Sequence, residues 1–263
     1  MTLLRTESKI DEHGNKILDI YSDDKLISHQ VRKSVPDSEI EVISEEDNTV
    51  KVGNSLFYLP NYKDDLIQGL INESRHYFSN HELIEAGYYL TPDSVVVDAG
   101  ANIGNHTLYF ANECKVKKIY AFEPVPYTYK ILKKNIELNN LQNKVLLRNA
   151  GLSDKILKGS ISSYDTKNLG GTRITDAGGG KIELITLDSL NITVKIDFIK
   201  IDVESMDYKV LCGAKKTILR DKPVIMIESF DTEFKDTDGL LKELGYKMKK
   251  ELGNCEYIYT PDE

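Results

Sequence analysis

The residues best placed to do chemistry are acids that stand directly after short apolar runs. Val95-Val96-Val97 leads into Asp98-Ala99-Gly100-Ala101-Asn102-Ile103-Gly104-Asn105-His106-Thr107. Gly100 lets the chain turn tightly and lets a ligand approach the backbone, and Gly104 lets a helix start close to a sheet. Asp98 puts a carboxylate at the end of the first strand. The next apolar run, Lys118–Phe122, ends in Glu123-Pro124, 25 positions after Asp98. An acid at that point can accept hydrogen bonds from both hydroxyls of a ribose. Asp202 and Glu204 follow a later run, Phe198–Ile201, and His106 falls in the first helical turn after the glycine loop.

Two kinds of nucleoside ligand use this layout. The dinucleotide fingerprint GxGxxG needs glycine where this chain has Asn102 and Asn105, because a pyrophosphate must meet bare backbone. S-adenosylmethionine carries no phosphate, and it asks for a carboxylate near its cationic end and an acceptor for its ribose. Asp98 and Glu123 supply both, with Gly100, Ala101, Asn102, Gly104, Asn105 and Pro124 forming the loop between them. A neutral hydroxyl attacked by that donor needs a base, for which Asp202, Glu204 and His106 are the candidates. Asp202 and Glu204 alternate along a strand end, so they can share a face, and that also permits a divalent metal with Glu228. Lys200 points away from Ile201 and is either solvated or paired with an acid. The plain alternative for the whole motif is an ordinary βαβ turn.

Elements that position these residues are legible from about Ser94 onward. Strand-like runs at 95–97, 118–122, 145–148, 198–201 and 223–227 alternate with helical patterns at 103–111, 127–138, 206–219 and 236–244. That alternation implies a parallel sheet, with ligands bound beyond the carboxyl ends of its strands. Runs at 246–250 and 257–259 around Gly253-Asn254 predict a closing hairpin. Before Ser94 the chain reads differently. Short strands are expected at 17–20, 25–31, 39–43 and 49–59, with a turn at Glu45-Glu46-Asp47-Asn48, and residues 64–90 read as helical. Ser79 and Glu82 match a capping box. Asp165–Gly180, rich in glycine and carrying Lys167 and Arg173, reads as an irregular loop able to close over an acceptor.

VVVDAGANIGNHTLYFA, IYAFEPVPYTYKILKKNIELNN, LDSL, FIKIDVESMDYKVLCGA and KPVIMIE, in that order, resemble the FkbM family of S-adenosylmethionine-dependent methyltransferases. The resemblance runs from about 93 to 230. It implies a Rossmann-like class I α/β fold: a seven-strand, mostly parallel sheet with helices on both faces and an antiparallel last strand. It implies O-methylation of a sugar, glycan or related natural-product hydroxyl. It also adds Asn149 to the cofactor-binding residues, near the adenine, and places Asp202 in that set too. Where the family has glycine after IDVE, this chain has Ser205. If a positive φ is needed there, Ser205 bears strain of roughly 1 kcal/mol.

Charge and composition narrow the partners. Thirty-four basic against 42 acidic residues give a net charge of −8, which disfavours nucleic acid and anionic lipid. The three cysteines, Cys114, Cys212 and Cys255, are far apart and odd in number, which argues against a disulfide framework or a zinc knuckle. With no apolar leader and no apolar run of about 18 residues, the expectation is a soluble, cytoplasmic protein. Residues 1–80 are expected to form a small β-rich accessory segment, a candidate oligomer interface, and 81–263 the methyltransferase domain. The expected partner is a small-molecule or saccharide acceptor. The alternatives are a cofactor-binding scaffold without turnover, and an NAD-dependent oxidoreductase.

Overall fold

A computed structural model describes the backbone of Leu4–Ile10, Lys16–Ser22 and Lys25–Arg32, and residues 48–164, 167–177, 179–253 and 255–262. The chain divides into two compact units, 1–42 and 43–263. The smaller is a three-stranded antiparallel sheet of β1 (Leu4–Ile10), β2 (Lys16–Ser22) and β3 (Lys25–Arg32). β2 and β3 coincide with expected strands, whereas β1, with Thr6 and Ser8 among few apolar residues, escaped the pattern. The strand expected at 39–43 and the turn residues 45–47 lie outside the described residues.

The larger unit opens with a hairpin, β4 (Thr49–Val52) and β5 (Ser55–Tyr58), where one long strand was expected. Gly53-Asn54 makes the turn, and Asn54 donates to the Glu113 carboxylate from N and Nδ2, both at 2.7 Å. The helical stretch expected at 64–90 is two helices, α1 (Leu66–Ser74) and α2 (Asn80–Gly87), parted where Arg75 turns left-handed at φ 56°. The capping box does not form. Ser79 is itself left-handed (φ 53°) and its hydroxyl caps nothing, while Glu82 is buried. Hairpin and helices share one apolar core with the main sheet, through Phe57, Ile71, Leu83, Val96 and Phe110, so the compact units do not divide at 80/81.

The main sheet contains β6 (Val95–Ala99), β7 (Lys118–Phe122), β8 (Val145–Arg148), β13 (Phe198–Ile201), β14 (Val224–Glu228), β15 (Tyr246–Gly253) and β16 (Glu256–Pro261) in the order β15-β16-β14-β13-β6-β7-β8. Six strands run in one direction, and β16 alone runs against them, pairing antiparallel with both β14 and β15. Helices α3 (Asn105–Asn112) and α4 (Pro126–Leu138) pack on one face, against Val96, Phe198 and Met226. Helices α5 (Asp207–Cys212), α6 (Lys215–Asp221) and α7 (Asp231–Glu243) belong to the other, which buries Val97, Ile199 and Ile227. The expected single helix at 206–219 is thus α5 and α6. Between β8 and β13 the chain builds a second sheet from β9 (Gly151–Leu152), β10 (Leu157–Ser163), β11 (Arg173–Thr175) and β12 (Ile182–Ile185). The glycine-rich stretch is therefore partly regular: a 3₁₀ turn at Leu169–Gly171, then β11 against β10. Among the described residues no helix is long and apolar enough to cross a membrane.

Candidate active site

Strand order reverses between β6 and β13, the point at which an open α/β sheet leaves a crevice at its carboxyl edge. A cleft lies there, bordered by Gly100, Asn102, Glu123, Pro124, Asp202, Glu204 and Glu228 on the main-sheet side. Phe78, Leu152, Leu169, Leu184 and Met206 give it apolar walls. The segment 168–172 forms part of the border and is strapped down by α1: Asp65 accepts from the Gln68 and Leu169 backbone N–H groups, and Leu66 N donates to Lys167 O.

Gly100 has φ +77°, and a Cβ there would meet the Asp202 carbonyl oxygen at 1.7 Å. No side chain fits, so the bend brings β6 and β13 together at backbone contact. Gly104 has φ +97°, and a Cβ on it would press Leu132 at 2.8 Å. Between them the loop is pinned to β7. The Gly100 and Ala101 N–H groups donate to the Phe122 carbonyl at 3.0 and 2.9 Å, and Asn102 N donates to Glu123 Oε2 at 2.9 Å. Val125 N donates to the other Glu123 oxygen at 2.8 Å. Burial pushes the Glu123 carboxyl up to about 7 despite these donors. The Asn102 Oδ1, buried at the cleft, has no hydrogen-bond partner among the described residues.

Register explains the charges below the cleft. Lys200 stands opposite Asp98 on β6 and Met226 on β14, and Glu228 stands opposite Glu256 on β16. Side chains two apart share a face, so Asp98, Lys200, Asp202, Glu228 and Glu256 gather on one side of the sheet's carboxyl edge. Lys200 is buried, not solvated. Its ammonium lies 3.1 Å from Asp202 and 3.4 Å from Asp98, and donates to the Gly100 carbonyl at 2.9 Å. Burial alone would lower its pKa, but the carboxylates of Asp202 and Asp98 raise it, so the lysine stays charged. Burial works against the Asp202 carboxylate, yet the Lys200 ammonium holds it below its ordinary value. Glu228 is pushed up to about 11 by burial and by the Asp202 charge, so it is a neutral acid hydrogen-bonded to Asp202. Glu256 moves the same way for the same reasons.

Glu204 reaches the cleft by a route the strand alternation did not foresee. The strand ends at Ile201, and Glu204 (φ 49°) and Ser205 (φ 73°) make a left-handed turn. Ser205 thus adopts the positive φ that glycine would take without strain. Burial and the Asp202 charge push the Glu204 carboxyl up to about 7, with Arg173 Nε 3.6 Å away drawing it down.

Of the residues singled out by sequence, Gly100, Asn102, Glu123, Pro124, Asp202 and Glu204 border the cleft, while Asp98, Ala101, Gly104, Asn105, His106 and Asn149 do not. Asp98 is buried beneath it, held by Lys200 and by the Thr107 hydroxyl. Asn105 clamps Phe78 from both ends of its amide at 2.9 Å. Asn149 Nδ2 donates to the Glu123 and Pro124 carbonyls at 2.9 and 3.1 Å, which fixes the loop after β7. His106 is buried with Nε2 lacking a hydrogen-bond partner among the described residues, and burial plus the Lys200 charge lower its pKa to about 4, so the ring is neutral. Among the described residues no three His, Cys, Asp or Glu side chains gather to hold a metal ion. The wall from 168–172 and Met206 was invisible to motif reading, since its members are bland residues brought in by Asp65 and the second sheet.

Residues 98–248 match the family described as Methyltransferase FkbM domain. Among characterised proteins, Methyltransferase sdnD of Sordaria araneosa is 42% identical over 64 residues, which are 24% of this chain and 25% of that protein. The match thus spans about a quarter of that relative's length. The tRNA(Phe) (4-demethylwyosine(37)-C(7)) aminocarboxypropyltransferase of Pyrococcus horikoshii is 26% identical over 174 residues, 60% of this chain and 59% of that one. The crystal structure of Methyltransferase FkbM from Methylobacillus flagellatus superposes with a TM-score of 0.48 at 17% identity, covering 65% of this chain and 44% of that chain.

Proposed function

The chain belongs to the FkbM methyltransferase family, and from that premise we propose that it transfers a methyl group from S-adenosylmethionine to a hydroxyl oxygen of a sugar, glycan or related small molecule. The observation that carries this reading is the charge of the cleft. Four carboxyl groups border it, Glu123, Asp202, Glu204 and Glu228, and among the described residues no lysine, arginine or histidine does. Such a site favours a cationic ligand, whose charge would oppose the burial that pushes the Glu123 and Glu204 carboxyls upward. S-adenosylmethionine is a cation at both its sulfonium and its amino group. The unpartnered Asn102 Oδ1 and the spare lone pairs of Glu123 suit a ligand rich in hydroxyl and amino donors.

On this reading Glu123 takes the ribose hydroxyls and Asp202 faces the cationic end, with Gly100 and Asn102 lining the approach. Asp98, Ala101, Gly104, Asn105 and Asn149 act one layer out, by holding that loop in shape. When bound, S-adenosylmethionine supplies an electrophilic methyl whose departure leaves a neutral thioether. The protein therefore has no new anion to stabilise, and positioning supplies much of the acceleration. Glu204 takes the acceptor's proton, because it borders the cleft and its pKa of about 7 matches neutral operation. His106 is neutral, buried and away from the cleft, and helps only by filling space beside the Asp98–Lys200 pair. A net charge of −8 speaks for a small acceptor over a polynucleotide.

Calorimetry tests the cofactor. Wild type is expected to bind S-adenosylmethionine and its demethylated product, and Glu123→Ala is expected to weaken both at least about ten-fold, the worth of a charged hydrogen bond. No binding by folded wild-type protein would end this reading. Transfer of labelled methyl to a panel of hydroxylated acceptors then tests the reaction.

A further inference from the structure

We propose that the acceptor carries an acidic group, a carboxylate or phosphate, and that Arg173 receives it in a second chamber opening from the cleft at Glu204. This rests on the methyltransferase reading and names its substrate class. Ile174, Glu204 and Met206 border both spaces. The second space adds Arg173, Asp176 and Lys209, so the two differ in charge: the first has acids alone, the second has cations.

The two cations are not equivalent. Lys209 is engaged by Asp176 at 2.8 Å, and Lys155 reaches the same carboxylate at 3.9 Å. Arg173 is fixed at its backbone, on β11 opposite Ser163, with the Ser162 hydroxyl donating to its carbonyl at 3.2 Å. Its side chain is half exposed, and among the described residues its ion-pair contact is Glu204, through Nε at 3.6 Å. Among those residues its two terminal nitrogens, with four N–H groups, have no hydrogen-bond partner. A guanidinium so placed offers the planar fork that carboxylate and phosphate match with two parallel hydrogen bonds.

Position sets the rest of the acceptor. Arg173 and Glu204 nearly touch, so the acid group and the reacting hydroxyl sit a few bonds apart, as in a hydroxy acid, a uronic acid or a sugar phosphate. One acid group feels the local cation, while a long polyanion would meet the net negative surface.

The test is calorimetric titration of wild-type protein, saturated with S-adenosylhomocysteine, with glucuronate, glucose 6-phosphate and glucose, repeated on Arg173→Met and Arg173→Lys. At least one acidic sugar is expected to bind about ten-fold or more tighter than glucose, and which one does so separates carboxylate from phosphate. Arg173→Met is expected to erase that advantage while S-adenosylhomocysteine affinity stays within about two-fold, and Arg173→Lys to keep part of it. Equal binding of all three sugars, binding of none, or an advantage that survives in Arg173→Met overturns the inference and leaves the methyltransferase reading standing. Failure of wild type to bind S-adenosylhomocysteine overturns both.

Discussion

Three pressures meet at Glu204: burial, the Asp202 carboxylate and the nearby Arg173 guanidinium, and their balance leaves its pKa at about 7. A base with that value is protonated and idle in acid. The rate is therefore expected to rise with pH up to about 7 and then level, measured as kcat/KM across pH 5–9. Glu204→Gln is expected to remove that limb and to lower kcat by roughly 10²–10⁴-fold, whereas His106→Gln leaves the limb in place. A limb that persists in Glu204→Gln would move the base elsewhere. Ser205 beside it sits at φ 73°, in the region where a Cβ is strained. Ser205→Gly is expected to stabilise the protein by about 1 kcal/mol in urea unfolding, less whatever the freer unfolded chain takes back. The sequence showed Ser205 as a departure from a glycine position. It did not show that Glu204 shares the left-handed turn, because nothing in its residue type asks for positive φ.

At the scale of elements, the parallel strands were legible because each is a short apolar run, four of the five bounded by acids or proline. The helices were harder. The stretches 64–90 and 206–219 each read as one helix, yet Arg75 and the Gly213-Ala214 step break the rods. A capping box was legible at Ser79 and absent in the fold, since packing buries Glu82 instead. Lys200 is the clearest case of neighbouring strands assigning a role. Alternation gave its face, but only the pairing of β13 with β6 puts it against Asp98. Lys200→Met leaves Asp98 and Asp202 as uncompensated charges and is expected to destabilise by about 3–5 kcal/mol in urea unfolding. An unchanged midpoint would mean that water already compensates those carboxylates. The strap from Asp65 to Leu169 makes a second test. Asp65→Ala is expected to weaken S-adenosylhomocysteine binding, read by calorimetry, by freeing the 168–172 wall.

Across the whole molecule, charge is stored unevenly, with neutralised acids buried beside a charged lysine. Glu228 has a folded pKa of about 11, raised above the ordinary glutamate value. A raised acid favours folding most below its unfolded pKa and loses that contribution as pH climbs toward the folded value. Glu228→Gln, which still has a donor for Asp202, is therefore expected to raise Tm at pH 8, with the gain shrinking toward pH 5. A gain that is flat with pH would show that Glu228 is ionised in the folded protein. By itself the sequence determined the sheet class, the glycine bend and the acids at the strand ends, because strand period, turn chemistry and residue type are local properties. Only the tertiary structure decided which acids border the cleft, which are neutral, and that Lys200 pairs with Asp98 and Asp202 while Arg173 lies beside Glu204. Those outcomes depend on strand order, burial and distance, and residues far apart in the chain acquire them only when it folds.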